Sequence, residues 1–166
     1  MALSRIAPPA APARGCMSST ESCPEGYEIS TDPARLDLGA MHAYLQRSYW
    51  SPGIARALVE RAARHSLCFG LYERDSGAQV GLARVVTDHA TFAYLCDVYV
   101  LEQHRGRGLA KHLMRAVMSH PALSGARRAM LATRDAHGLY RNFDFRDVGT
   151  SHTLMEIVRP DPYRVG

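Results

Sequence analysis

Two glycines and one out-of-place carboxylate mark where this chain could do chemistry. Gly106 and Gly108 sit in Val98-Tyr99-Val100-Leu101-Glu102-Gln103-His104-Arg105-Gly106-Arg107-Gly108-Leu109-Ala110, where an apolar strand runs into a turn and a helix begins at once. A helix N-terminus presents unpaired N–H groups and the positive end of the peptide dipoles, and glycine lets the backbone approach an anion closely. The segment therefore reads as a phosphate cradle, with Arg105 and Arg107 beside it to complement the charge. A bare Gly-x-Gly is equally an ordinary turn. The nucleoside-triphosphate loop is excluded, because no Gly-Lys-Ser/Thr ends the segment. The dinucleotide fingerprint is excluded too, because Lys111 stands where its third glycine belongs. Asp97 lies among Leu95, Cys96 and Val98, where a carboxylate is costly unless it is paired or functional. It is either a base or a seat for a cationic amine, or else the ion-pair partner of Arg84. The two share a face if the hairpin turns near residues 88–91, and such a pair makes a poor base.

The fuller pattern Gln103-x-x-Gly106-x-Gly108-x-Ala110 resembles the pyrophosphate-binding motif of the GNAT N-acetyltransferase superfamily, which binds acetyl-coenzyme A. A second segment, Thr133-x-x-Ala136-x-x-Leu139-Tyr140 followed by Phe143-Asp144-Phe145, is similar to that family's coenzyme-side helix and the strand after it. The resemblance spans roughly residues 25–158. It implies that Arg105, Gly106, Arg107, Gly108, Leu109 and Ala110 hold the pyrophosphate, and that the strand end Val98-Tyr99-Val100 offers a backbone N–H to the thioester carbonyl. It also places Thr133 on the pantetheine side and makes Tyr140 the acid that protonates the departing thiolate. Two positions depart from the family pattern: Thr133 stands where asparagine is frequent, and Asp144 where glycine is usual. Aspartate tolerates a left-handed backbone better than most residues, so the turn survives.

Acetyl transfer from a thioester to an amine needs an amine that has lost its proton, a donor to the carbonyl oxygen, and an acid for the thiolate. A strand N–H is the oxyanion-type donor such a reaction requires. A phenol, with an ordinary pKa of about 10, is protonated at neutral pH and can serve as the acid. By spacing alone Tyr140 is equally a core aromatic of an amphipathic helix. Ser48-Tyr49-Trp50 holds the only tryptophan. In the resembled fold Tyr49 and Trp50 help wall the acceptor pocket, although Trp50 would also serve to staple two helices together. His42, His65, His104, His112 and His137 form no ligand spacing, so no metal is expected. The reading is an acetyl-CoA-dependent N-acetyltransferase that acts on a primary amine of a small molecule or peptide, by direct attack in a ternary complex. Asp97 beside Tyr49 and Trp50 suits a small cationic amine. A non-catalytic acyl-CoA-binding module is the alternative. Dimers are common in the resembled family, which leaves a homodimer open.

Composition agrees with an enzyme domain of this kind. A chain of 166 residues, 46% hydrophobic and 22% charged, is the size and make-up of one soluble globular domain. The net charge of +4 is carried almost wholly by arginine, with Lys111 the only lysine, and no basic run is interleaved with aromatics. Nucleic acid is therefore not expected as a partner. No apolar run reaches the length of a membrane span. Cys16, Cys23, Cys68 and Cys96 lack C-x-x-C spacing, which points to a reduced, cytoplasmic protein.

The elements that must position these groups follow in a consistent order. Residues 1–24 are rich in Ala, Pro and Ser and read as a disordered tail, ahead of one domain over 25–160 and a short tail, 161–166. A strand is expected at Tyr27–Ser30, a helix opened by Asp32-Pro33, and a second opened by Ser51-Pro52 with Ile54, Leu58 and Ala62 inward and a Glu60–Arg64 pair outward. Strands at Leu67–Arg74 and Gln79–Thr87 flank the Asp75-Ser76-Gly77 turn. Phe92–Val100, apolar on both faces, is a central strand. The cradle helix ends at His120-Pro121. A strand near Met130-Leu131, the Tyr140 helix, and strands at Phe145–Val148 and Thr153–Val158 complete an α/β fold. Its sheet is mixed but mostly antiparallel, with helices on both faces, as in the resembled family.

Overall fold

The computed structural model describes residues 23–149 and 154–155. The opening Ala/Pro/Ser-rich stretch through residue 22, the tail 161–166 and most of the strand expected at Thr153–Val158 lie outside the described residues. Five strands, β1 (Tyr27–Ser30), β2 (Leu67–Glu73), β3 (Gln79–Thr87), β4 (Phe92–Val100) and β5 (Arg128–Leu131), form one sheet in chain order. The first three pairings are antiparallel and β4–β5 is parallel. Period-two alternation explains the layers. Phe69 and Leu71 of β2, with Ala83 and Val85 of β3, face Leu109, Leu113, Met114 and Val117 of α3 (Leu109–Ser119). Cys68, Leu82 and Tyr99 face the other way, onto Met41, Tyr44 and Leu45 of α1 (Leu38–Leu45) and Val59 and Ala63 of α2 (Arg56–Arg64).

The helix starts differ from the sequence expectation in an instructive way. Asp32-Pro33 opens a single 3₁₀ turn (Pro33–Arg35), and Leu36 then goes extended. The helix proper starts at a second cap, where the Asp37 carboxylate accepts from the Ala40 N–H at 2.9 Å. Ser51-Pro52 likewise begins a turn, with the Gly53 N–H donating to the Gln46 carbonyl at 2.8 Å, and α2 starts five residues after Ser51. Its buried face is Val59 and Ala63, one position on from the expected Leu58 and Ala62. Glu60 pairs with Arg56 (2.8 Å), one turn upstream, while Arg64 donates to the Glu60 carbonyl. His120-Pro121 does end α3, and the His120 Nδ1 caps the short α4 (Pro121–Ser124) by accepting from the Ala122 N–H. Burial lowers the His120 pKa, which keeps that nitrogen an acceptor.

The strand expected at Phe145–Val148 is not formed. The Phe145 N–H instead bonds to the Tyr140 carbonyl, continuing the end of α5 (His137–Arg141), and its ring packs edge-on against Tyr140. Asp144 takes the left-handed conformation at φ +63°, which is the turn that lets the chain fold back there.

Candidate active site

The centre of β4 is where strand geometry becomes chemistry. Leu82 pairs with Tyr99 and Arg84 with Cys96, so Ala83 alone faces both Asp97 and Val98. The extra residue is a β-bulge, and Asp97 carries it at φ +52°. The bulge rephases the strand. Ala93 and Leu95 point to the α3 side before it, and Val98 and Val100 point there after it, two even-numbered residues following two odd-numbered ones. Straight alternation would send Asp97 toward α3 with Leu95. The bulge turns it to the opposite face, beside Arg84.

There both carboxylate oxygens are engaged. Asp97 Oδ2 accepts from Arg84 Nε at 2.6 Å and Oδ1 from Trp50 Nε1 at 3.0 Å. The pair is well enclosed, with 16% and 9% of the Arg84 and Asp97 side chains exposed. Arg84 also donates to the Ser66 hydroxyl at 2.9 Å. Burial works against the guanidinium charge, but the Asp97 carboxylate together with Cys96 and Cys68 raises the Arg84 pKa on balance. Burial pushes the neighbouring Cys96 thiol up to about 11, so this cysteine is no ready nucleophile.

Beyond the bulge the sheet opens. Pairing of β4 with β5 stops at Leu95–Leu131, while β4 runs on to Val100, so one backbone edge of residues 96–100 faces a cleft. A cavity of about 490 Å³ fills it, walled by Cys96, Asp97 and Val98 on one side and by Thr133, Arg134 and Tyr140 on the other. Tyr49 and Trp50 close the remaining side. Tyr140 also lines a second cavity of about 290 Å³ behind β5. Burial, then the nearby Tyr49 and Asp135, push its phenol up to about 12, so it is a proton donor throughout the neutral range. The loop carrying Tyr49 and Trp50 is tied down at both ends of the cleft. Trp50 bonds to Asp97, and the Tyr49 hydroxyl accepts from the Arg134 N–H at 3.1 Å.

The glycine turn lies at the far end of β4. Gly106 (φ +77°) and Gly108 (φ +75°) both need the left-handed backbone, and a Cβ added to either would meet nothing within 4 Å. Gly108 is the N-cap of α3 and brings no side chain to cap it, so the first N–H groups of Leu109 and Ala110 face open space. The two arginines act as struts. Arg105 donates to the Val100 carbonyl (3.0 Å), to the Tyr44 hydroxyl and to Glu102, while Arg107 donates to the Tyr27 hydroxyl at 2.7 Å. Tyr27 in turn contacts His104 Nδ1 at 2.8 Å. An open helix N-terminus, a backbone-edged cleft and a phenol at its end fit a long phosphorylated thioester such as acetyl-CoA.

Known proteins are similar in sequence and fold. Residues 64–147 match the family model described as an acetyltransferase (GNAT) domain. A protein of Gibberella zeae that carries an acetyltransferase name is 35% identical over 143 residues, which span 73% of this chain and 80% of that one. The chain belongs to the GNAT acetyltransferases. A crystal structure of a GNAT-family protein from Xanthomonas campestris pv. campestris is 50% identical with a TM-score of 0.80, covering 84% of this chain and 97% of that one. Glucosamine-6-phosphate N-acetyltransferase from Arabidopsis thaliana, 14% identical with a TM-score of 0.60 and covering 81% and 98% of the two chains, shares the fold alone.

GNAT acetyltransferases use acetyl-CoA, and the sequence-expected residues of this one fall into two groups. Tyr140, Asp97, Val98, Thr133, Tyr49 and Trp50 meet around one cavity. Arg105 to Ala110 form the glycine turn, with Val100 the carbonyl to which Arg105 is tied. Tyr99 faces away from the cleft and stacks on Tyr44, ring centroids 3.8 Å apart, so any contact from it to the cleft is through its backbone. The Thr133 hydroxyl accepts from the Ala136 N–H at 3.1 Å and shapes the approach to α5. Sequence reasoning missed Arg134 and Asp135 on the cavity wall, and Tyr27 and His104 beneath the glycine turn. Arg134 is fixed by Tyr49 and Tyr27 by His104 and Arg107, contacts between distant parts of the chain, while Asp135 lies within the same segment as Tyr140. Among the described residues, no cluster of His, Cys, Asp and Glu would hold a metal, and no helix is long and apolar enough to cross a membrane.

Proposed function

We propose that this GNAT acetyltransferase moves an acetyl group from acetyl-CoA to a primary amine of a small molecule or peptide, by direct attack in a ternary complex within the reduced cytoplasm. The observation that carries the reading is the shared cavity, in which the Tyr140 phenol and the freed backbone edge after the Asp97 bulge face each other across the opened sheet. Acetyl-CoA, when bound, supplies the thioester whose carbonyl carbon accepts the amine nitrogen. The α3 N-terminus, with Gly106 and Gly108, holds the pyrophosphate through backbone N–H groups, while Arg105 and Arg107 brace the turn. The N–H groups of Val98 to Val100 supply the donor for the carbonyl oxygen. Thr133 orients the pantetheine side, and Tyr140 gives its hydroxyl proton to the leaving thiolate.

Asp97 fits a positioning role better than that of a base. With Arg84 on one oxygen and Trp50 on the other, its carboxylate holds the bulge and the acceptor loop in register. The amine then enters neutral and releases its second proton to solvent through the open side of the cavity. Tyr49 and Trp50 form the acceptor wall. The test is an amine panel with acetyl-CoA, following free thiol release, with Gly106→Glu as the dead-cradle control. Acetylation that Gly106→Glu abolishes supports the reading. Tight coenzyme binding without transfer to any amine would make the protein an acyl-CoA-binding module instead.

A further inference from the structure

The charges around the large cavity do not all cancel. Arg84 and Asp97 neutralise each other at 2.6 Å, which removes the carboxylate that the sequence offered to a cationic acceptor. Two charged wall residues remain, Arg134 and Asp135, and among the described residues neither has an ion-pair partner. Arg134 is held in place by a residue 85 positions away. Its guanidinium carbon lies 3.9 Å from the centroid of the Tyr49 ring, and its backbone N–H donates to the Tyr49 hydroxyl at 3.1 Å. Stacking on a ring fixes the plane of a guanidinium and leaves its in-plane N–H fork free, the arrangement that matches a carboxylate with two parallel hydrogen bonds. The contact also draws Arg134 toward the loop between α1 and α2, on the acceptor side, and away from the glycine turn that serves the pyrophosphate. Asp135, next in the chain, lies close enough to Tyr140 to raise its pKa, so it belongs to the end of the cavity where the acyl chemistry takes place.

We propose that Arg134 is the acceptor-recognition residue of this enzyme: its Tyr49-stacked guanidinium takes the carboxylate of an amino-acid-type acceptor, whose amine is directed toward Asp135 and Tyr140. This rests on the acetyltransferase reading above and names the class of its acceptor. Fixing the fork before binding lowers the entropy cost of ordering a long side chain. A diamine meets the wrong charge at Arg134, so the site selects against polyamines as well as for amino acids.

The experiment compares matched acceptors on the full chain: β-alanine, 4-aminobutyrate and 6-aminohexanoate against propylamine, butylamine and hexylamine, phenylalanine against phenethylamine, and cadaverine as the dication. At least one carboxylate-bearing acceptor should exceed its matched amine about tenfold or more in kcat/KM, mainly through KM. Arg134→Gln should bring that ratio to near one by raising the KM of the amino acid, and Arg134→Glu should move the preference to cadaverine. Binding of the best carboxylate-bearing probe to the coenzyme-loaded protein, measured by calorimetry, should weaken in step. Equal use of matched acceptors by the wild-type protein overturns the proposal while leaving the acetyltransferase reading intact, as does an Arg134→Gln variant that loses coenzyme affinity instead of acceptor selectivity. Arg134-dependent binding of a carboxylate-bearing probe without turnover upholds the recognition site while sinking the transfer reading.

Discussion

Tyr140 and the Arg84–Asp97 pair separate two kinds of contribution that individual side chains make. Tyr140 is buried, and its phenol sits at about 12, two units above its ordinary value. A raised pKa keeps the donor form present as pH rises, so the rate should climb as the amine loses its proton and show no falling limb near pH 10. A kcat/KM profile from pH 7 to 11 checks this, and a limb at about 10 would count against Tyr140 as the acid. Tyr140→Phe should lower kcat on the order of 10²-fold with the profile's shape preserved, since one general acid is typically worth 10²–10⁴. Coenzyme affinity, measured by titration, should stay within a factor of about two. Arg84→Ala acts through stability first. It leaves the Asp97 carboxylate enclosed with only Trp50 as partner, and removing one member of such a pair costs about 3 kcal/mol. Urea unfolding should read that loss, and Asp97→Asn should lose a comparable amount, because its single amide oxygen cannot serve both Arg84 and Trp50 and the enclosed guanidinium is left without a counter-charge.

At the scale of elements, β4 links two features, the cavity beside Asp97 and, past its C-terminal end, the glycine turn that opens α3. The bulge at Asp97 lies just past the last β4–β5 pair, and the Gly106–Gly108 turn leads into α3 with no side-chain cap. Both depend on positive φ, which costs a non-glycine residue about 1–2 kcal/mol. Gly108→Ala therefore strains the turn although open space surrounds it. The expected outcome is a folded protein, a little less stable, whose coenzyme dissociation constant rises at least about tenfold by isothermal titration. The cradle was readable in the chain because glycines at fixed spacing before an amphipathic helix are a local signal. The bulge was not. Asp97 looked out of place among apolar neighbours, but its left-handed backbone appears only when β3 and β4 are registered against each other, and that register is a long-range property.

For the molecule as a whole, the buried Cys68 thiol reports on cooperativity. Burial pushes Cys68 and Cys96 up to about 11, so both are protonated and poorly nucleophilic at pH 8 in the folded state. In a Cys16→Ser/Cys23→Ser/Cys96→Ser background, alkylation of Cys68 at pH 8 should proceed only as fast as the fold opens, and its midpoint in urea should coincide with loss of tertiary signal. Their raised pKa values also set a sign for pH. The stabilising contribution is complete below the unfolded thiol value near 9, falls as pH rises from 9 to 11, and levels off above it. Thermal melts across that range check the direction. Labelling far in advance of unfolding would show that the α1–α2 side of the sheet, where Cys68 packs, opens on its own.

What the chain alone determined was local and periodic. Alternating apolar residues specified strands, the glycine pair specified an open helix N-terminus, and the spacing before Tyr140 specified the short helix that carries it to the cavity wall. Such signals lie within a few turns or one strand, where sequence spacing is spatial spacing. Both helices started downstream of their cap-proline signals, α1 at the Asp37 cap and α2 after Ala55 with no side-chain cap, and the first donor of Phe145–Val148 went to the end of α5 instead of a strand. Only the tertiary structure decided which charges remained free. Arg84 claimed Asp97 across a bulged ladder, and Tyr49 claimed Arg134 from 85 residues away. Charge is a property of single residues, but its availability depends on what the fold brings within reach, and so the glycine turn could be read in the sequence while the charged wall at Arg134 had to wait for the structure.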